Sequence, residues 1–244
     1  MQYLVFRLYG PMASWGEAAV GGDRPSGLAP SRSAVLGLLG AALGIKRDDA
    51  SRLDALRASI GIAIKAYSSG GLMRDYHTAQ VPSQEKKRTF YTRKDELGTD
   101  KDKLNTVLSS RDYRSDGYWV VAVWQQQESE VTLEALARAL TKPAFIPYLG
   151  RKACPLAAPV APLLIEAELK AALDSSFPPI LGSFEQDRRW LDLGSTVTYL
   201  WQGMADDLGA YDGVQSRNVW DEPISRMPWQ FAARQEHQLI LVEE

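Results

Sequence analysis

The run of apolar and polar positions predicts a mixed α and β protein. Gln2–Tyr9, with Tyr3 and Val5 among its strand formers, stops at Gly10-Pro11 and reads as a strand. Residues 10–30 carry Gly10, Gly16, Gly21, Gly22 and Gly27 with Pro11, Pro25 and Pro30. They read as a long loop of the kind that usually serves function. Ser31 or Ser33 then caps a helix to about Ile45, with Val35, Leu36, Leu39 and Leu43 as apolar members. Gly37, Gly40 and Gly44 thin one side of it. Close approach to a sheet is the expected reason, and Gly44 can end the helix.

Further along, residues 60–67 predict a second strand. Residues 117–124, Gly-Tyr-Trp-Val-Val-Ala-Val-Trp, give the strongest strand signal in the chain. Val131, Leu133, Leu136, Ala137 and Leu140 mark an amphipathic helix over 131–142, closed before Pro143. Residues 163–168 predict another strand. The order is the βαββαβ of an α+β, ferredoxin-like fold with a polar, charged insert between its middle strands. The expected division is a ferredoxin-like domain over 1–74 and 115–170, an insert over 75–114, and a smaller C-terminal β-rich region over 171–244. That last region has strand candidates at 195–202 and 237–242.

Composition narrows the chemistry. One cysteine excludes an internal disulfide framework and a cysteine-based zinc site, and fits a reducing, cytoplasmic setting. Two histidines leave little for a histidine-based metal or triad site, and no cofactor or metal is expected. No segment approaches the roughly 18 apolar residues of a spanning helix. The N-terminus reads as a strand, not a leader.

A net charge of −2 argues by itself against nucleic acid, but the charge is segregated. Residues 74–94 and 138–155 each carry +4, while 185–222 carries −5. In the first, Tyr76, Phe90 and Tyr91 lie among the cations, a mixture that suits single-stranded nucleic acid. It equally describes a solvated charged hairpin.

No dinucleotide or phosphate-loop fingerprint is present. Arg24-Pro25 and Pro30-Ser31-Arg32-Ser33 lead into the first helix. Its free N–H groups can attract a phosphate, or it is simply a capped helix. Arg74-Asp75-Tyr76-His77-Thr78 opens the insert. A Tyr–His pair could serve metal-free RNA cleavage, but His77 fits better as a hydrogen-bonding or stacking group. Pro147-Tyr148-Leu149-Gly150-Arg151-Lys152-Ala153-Cys154-Pro155 is a tight basic loop, with Cys154 read as structural. Arg226–Arg234 mixes cations with rings, for base stacking or packing. Asp206-Asp207 and Asp221-Glu222 read as solvated acidic faces rather than metal ligands.

In this order, Leu8–Gly16, Arg24-Pro25 with Pro30–Ile45, Arg74–Thr78, Pro147–Lys152 with Cys154–Leu156, Asp221-Glu222-Pro223, and Gln230–Ala232 with Arg234 resemble the CasD family, the Cascade subunit of type I-E CRISPR systems. The motifs span nearly the whole chain, although 79–112 and 165–215 match poorly. The resemblance implies a ferredoxin-like RNA-recognition domain whose insert is a β-hairpin thumb. It implies binding to the 5′ handle of the CRISPR RNA (crRNA), capping of the backbone filament built by the CasC subunit, and contact with the large subunit CasA. Target DNA would be met only through the complex, and no membrane is involved. Handle contacts are implied from the 24–33, 74–78 and 148–152 segments. With the insert's cations, the candidate RNA-binding residues are Arg24, Ser31, Arg32, Arg74, Tyr76, His77, Lys86, Lys87, Arg88, Tyr148, Arg151 and Lys152. No catalytic residue is assigned. The alternative is a metal-independent endoribonuclease processing the repeat RNA.

Overall fold

A computed structural model of the chain describes all residues except 18, 20, 84–88, 128–130, 192, 227–228 and 243–244, and the side chain of Arg226. Its elements are β1 (Gln2–Tyr9), β2 (Met12–Ala13), β3 (Asp23–Arg24), α1 (Arg32–Ala42), α2 (Ala50–Ser59), β4 (Ile60–Ser68), β5 (Gly71–Pro82), α3 (Arg93–Leu97), β6 (Leu104–Ser115), β7 (Tyr118–Gln125), α4 (Leu133–Thr141), β8 (Leu163–Glu166), α5 (Leu169–Leu173), α6 (Phe184–Trp190), β9 (Thr196–Trp201), β10 (Gln215–Arg226) and β11 (Trp229–Val242).

Seven strands form one sheet in the order β10-β11-β9-β4-β7-β1-β8, every neighbouring pair antiparallel. Both faces of its centre are covered. Leu4, Phe6 and Leu8 of β1 join Trp119, Val121 and Val123 of β7 in a core under α1 and α4. Tyr3 and Val5 join Tyr118, Val120 and Ala122 in a second core, closed by Leu169 and Leu173 of α5. This explains why 117–124 reads as an unbroken apolar run: with two buried faces the strand has no polar side to alternate with. On α4, Leu133, Leu136 and Leu140 face the core, and Thr132 caps the helix by accepting the Ala135 N–H at 3.2 Å.

The structure corrects one expectation here. Gly40 meets Leu53 and Leu56 of α2, each 3.8 Å from where a Cβ would stand, and Gly37 meets nothing within 4 Å. The glycines of α1 therefore do not serve contact with the sheet. Gly44, at φ +70°, does end the turn that follows α1. Residues 171–244 add β9, β11 and β10 to the edge of the same sheet.

The insert is a second, smaller sheet. β5 and β6 pair along their whole length, from Gly71 opposite Ser115 to Pro82 opposite Leu104. On the other edge of β6, β2 pairs at 114–115 and β3 pairs in parallel at 110–111. The long loop after β1 is thus strapped to the root of the hairpin. No helix among the described residues is long and apolar enough to cross a membrane.

Candidate nucleic-acid interface

Side chains alternate across a strand, so register decides which groups meet. Arg74 lies opposite Asp112, and Tyr76 opposite Ser110, on one face of the hairpin. Asp75 lies opposite Arg111, and His77 opposite Ser109, on the other. Arg24 of β3 is the register partner of Arg111, which brings it to the second face. The compact sequence motif Arg74–His77 is therefore split between two surfaces. Tyr76 and His77 stand on opposite sides.

The first face is internally paired. The Arg74 guanidinium donates to both Asp112 oxygens, from Nε at 2.7 Å and from Nη2 at 2.9 Å. That hydrogen bonding, with the positive charge behind it, holds the Asp112 carboxyl below its ordinary pKa against the opposing effect of burial. Arg114 donates to the Gly27 and Ser26 carbonyls, and Ser110 Oγ lies 2.5 Å from Asp23 Oδ1. Tyr76 projects to solvent from this face, at 63% exposure.

The second face gathers cations. Arg24 and Arg111 are exposed neighbours. Arg151 lies over the Tyr113 ring, 4.8 Å from its centroid, and its Nη2 donates to the Arg24 carbonyl at 3.2 Å. His77 donates through Nε2 to Asp75, the one acid of this face. The loop bearing Arg151 is fixed by backbone chemistry. Ser14 N donates to the Leu149 carbonyl at 3.0 Å, and Leu149 N to the Cys154 carbonyl at 2.8 Å. Gly150, at φ +83°, brings its Cα so near Ser14 that a Cβ would sit 1.8 Å from the carbonyl oxygen. Lys152 is exposed and Tyr148 is 39% exposed. Cys154 is buried beneath the loop, and desolvation raises its thiol pKa, which suits a packing role.

The 31–32 segment has a different task. Ser31 caps α1 by accepting the Ala34 N–H at 3.2 Å. Arg32, expected at a phosphate, is only 4% exposed. Its side chain donates to Glu222 at 2.5 Å, Gln202 at 2.9 Å, the Ile60 carbonyl at 3.1 Å and the Arg57 carbonyl at 2.7 Å. Its backbone N–H donates to Asp221 at 2.6 Å, so an internal carboxylate meets the helix N-terminus, and of the two readings left open for it the capped helix describes it. Asp221 and Glu222 are thereby corrected from a solvated acidic face to internal ion partners. Arg234, in the ring-and-cation motif near the C-terminus, also pairs with Asp221, at 2.6 Å. Lys86, Lys87 and Arg88 lie outside the described residues, as do Met227 and Pro228 of the C-terminal motif.

The structure thus brings Arg24 and Arg151 together on the hairpin, with Tyr148 and Lys152 on the loop that carries Arg151 and His77 further along the same face, and buries Arg32 elsewhere. It adds Arg111 and Tyr113, which the sequence reading did not single out. Their signal was present as the alternation Arg111-Asp112-Tyr113-Arg114, but only the register with β5 and β3 reveals that Arg111 joins Arg24. Among the described residues, no cluster of three or more His, Cys, Asp or Glu is arranged to hold a metal ion.

Residues 3–236 match the family described as CRISPR-associated protein (Cas_Cas5). The chain belongs to that family. A CRISPR system Cascade subunit CasD from Escherichia coli (strain K12) is 33% identical over 242 residues, covering 96% of this chain and 93% of its own length. Among solved structures, a chain of a CRISPR RNA-guided surveillance complex is similar in fold at TM-score 0.66 and 24% identity, covering 99% of this chain and 90% of that one. A Cas protein crystal structure is similar at TM-score 0.61 and 25% identity, covering 99% of this chain and 95% of its own. The likeness therefore takes in the hairpin and the C-terminal strands as well as the central sheet.

Proposed function

We propose that this chain is a non-catalytic subunit of a Cascade surveillance complex of CRISPR antiviral defence, working in the cytoplasm and binding the 5′ handle of the crRNA. The observation that carries the RNA contact is the grouping of Arg24, Arg111, Arg151 and Lys152 beside Tyr113 and Tyr148 at the hairpin root. Cations meet phosphates there, and a tyrosine plane is available to an unstacked base, a contact worth about 1–3 kcal/mol. The near-full-length relation to a Cascade subunit supports the assembly, with the backbone subunit CasC and the large subunit CasA as neighbours.

Within this reading β1, β4, β7 and β8, the first four strands of the main sheet, lie in the spatial order fourth, first, third, second, which supports a ferredoxin-like domain over 1–74 and 115–170. Residues 75–114 act as its thumb, and 171–244 extend the sheet. The endoribonuclease alternative needs Tyr76 and His77 to act on one phosphodiester. Their location on opposite faces, with His77 tied to Asp75, speaks against it.

Replacing Arg151 and Lys152 together with alanine tests the assignment. Handle RNA should bind more weakly, and the slope of log affinity against log salt should flatten by about 1.4, since each phosphate contact to a single strand contributes about 0.7. Unchanged affinity and slope would remove the loop from the RNA interface.

A further inference from the structure

On the sheet face away from α1 and α4, a pocket of about 400 Å³ opens beside the root of the hairpin. Its floor is Tyr118, the first residue of β7, and Tyr67, next to the Ser68 with which Tyr118 pairs. The two rings meet edge to face, with centroids 5.6 Å apart. Phe177 is buried at one side. Phe184 of α6 stands at the mouth with 58% of its surface open, though it is the second aromatic wall of the site. Arg188, one helical turn beyond Phe184 and so on the same side of α6, also lines the pocket. It is exposed and makes no ion pair among the described residues. The one acid in the lining, Asp187, is buried and accepts the Ile180 and Leu181 N–H groups at 2.8 and 2.7 Å, so its carboxylate oxygens are engaged by the protein's own backbone.

We propose that this pocket receives one unpaired nucleobase of the bound RNA, its plane against Phe184 and Tyr67 and its phosphate at Arg188. The proposal rests on the RNA-binding reading above. The volume lies in the range of small-ligand sites. A lining of rings with a cation at the rim is the chemistry that holds an unstacked base and its phosphate. The pocket adjoins the hairpin root on the side opposite the Arg24–Arg111 cluster.

The test uses the complex assembled around a crRNA carrying 2-aminopurine at each handle position in turn. One position should be quenched in the wild type. Phe184→Ala should restore its fluorescence and weaken RNA retention by at least about fivefold, the lower limit for one base stack. Phe184→Trp should keep the quench, and Arg188→Ala should weaken retention with a flatter salt dependence. Because Phe184 and Arg188 are exposed, neither change threatens folding. If no position responds to Phe184→Ala while the Arg151/Lys152 double variant still loses RNA, the pocket is not a base site and the RNA-binding reading stands. If Phe184→Ala instead disrupts assembly with fluorescence unchanged, a protein segment fills the pocket and the proposal falls. Insensitivity of RNA retention to both sets of variants would bring down the RNA-binding reading too.

Discussion

Two long antiparallel hairpins dominate this molecule, β5–β6 and β10–β11, and they handle charge in opposite ways. In β10–β11 the ions face one another: Arg217 bridges to Glu236 at 2.8 Å, and Arg234 to Asp221 at 2.6 Å and to Glu236 at 2.7 Å. Glu222 reaches inward to Arg32 and, at 3.5 Å, to Arg57. That hairpin joins the main sheet through β9, and its carboxylates tie it to α1. In β5–β6 one face pairs Arg74 with Asp112, while the other leaves Arg24 and Arg111 exposed beside Asp75. Similar counts of charged residues thus produce a structural strut in one place and a cationic surface in the other. Cross-strand register makes the difference: Arg74 meets Asp112 and is neutralised, whereas Arg111 stands between Arg24 and an Asp75 that is held by His77, and remains available to an external anion.

The sharpest way to break the comparison is Glu222→Ala. Buried Arg32 would lose its carboxylate, an uncompensated charge that typically costs about 3–5 kcal/mol. Urea unfolding should register that loss, while RNA affinity per folded molecule stays unchanged. Next, Gly150→Ala forces a Cβ against the Ser14 carbonyl at a positive φ. It should cost about 1–3 kcal/mol in thermal or chemical unfolding and misplace Arg151, weakening RNA binding as well. Arg24→Gln with Arg111→Gln should leave stability intact and flatten the salt slope of RNA binding by about 1.4. Arg217→Gln, in the strut, should leave that slope unchanged. An equal effect from both would abolish the distinction between the two hairpins.

The smallest effect is pH-dependent. Asp112 has a lowered carboxyl pKa in the folded state, so its partnership with Arg74 stabilises the fold above the carboxylate's unfolded pKa. The contribution disappears as pH falls through the lowered folded value. Asp112→Asn should therefore be less stable than wild type at neutral pH and converge with it in strong acid. Parallel unfolding curves across that range check the sign. Arg74 is mostly solvent-exposed, so the difference should be modest.

Much of this was legible in the residues. The strands at 60–67 and 117–124 and the helix at 131–142 match β4, β7 and α4 closely, because burial and 3.6-residue periodicity are local signals. The basic loop at 148–152 was legible because Gly150 and its cations are contiguous. Less so were α2, with few apolar residues on which to detect a period, and β10, whose polar sequence gains its strand character from pairing with β11. Arg32 and Arg24 look alike in sequence, each a cation near a proline in the same loop-to-helix stretch. Nothing local says that one is buried against Glu222 and the other exposed beside Arg111.

By itself the sequence determined the central strands, the helices α1 and α4, the loop carrying Arg151 and the family, all of which depend on neighbouring residues or on ordered motifs along the chain. Only the tertiary structure decided which charges are available. It took Arg32 and the Asp221-Glu222 pair inward, separated Tyr76 from His77 and joined Arg111 to Arg24. The physical reason is that a charge acts on whatever lies within a few ångströms, and for these groups the nearest partner is set by strand register between segments up to about two hundred positions apart.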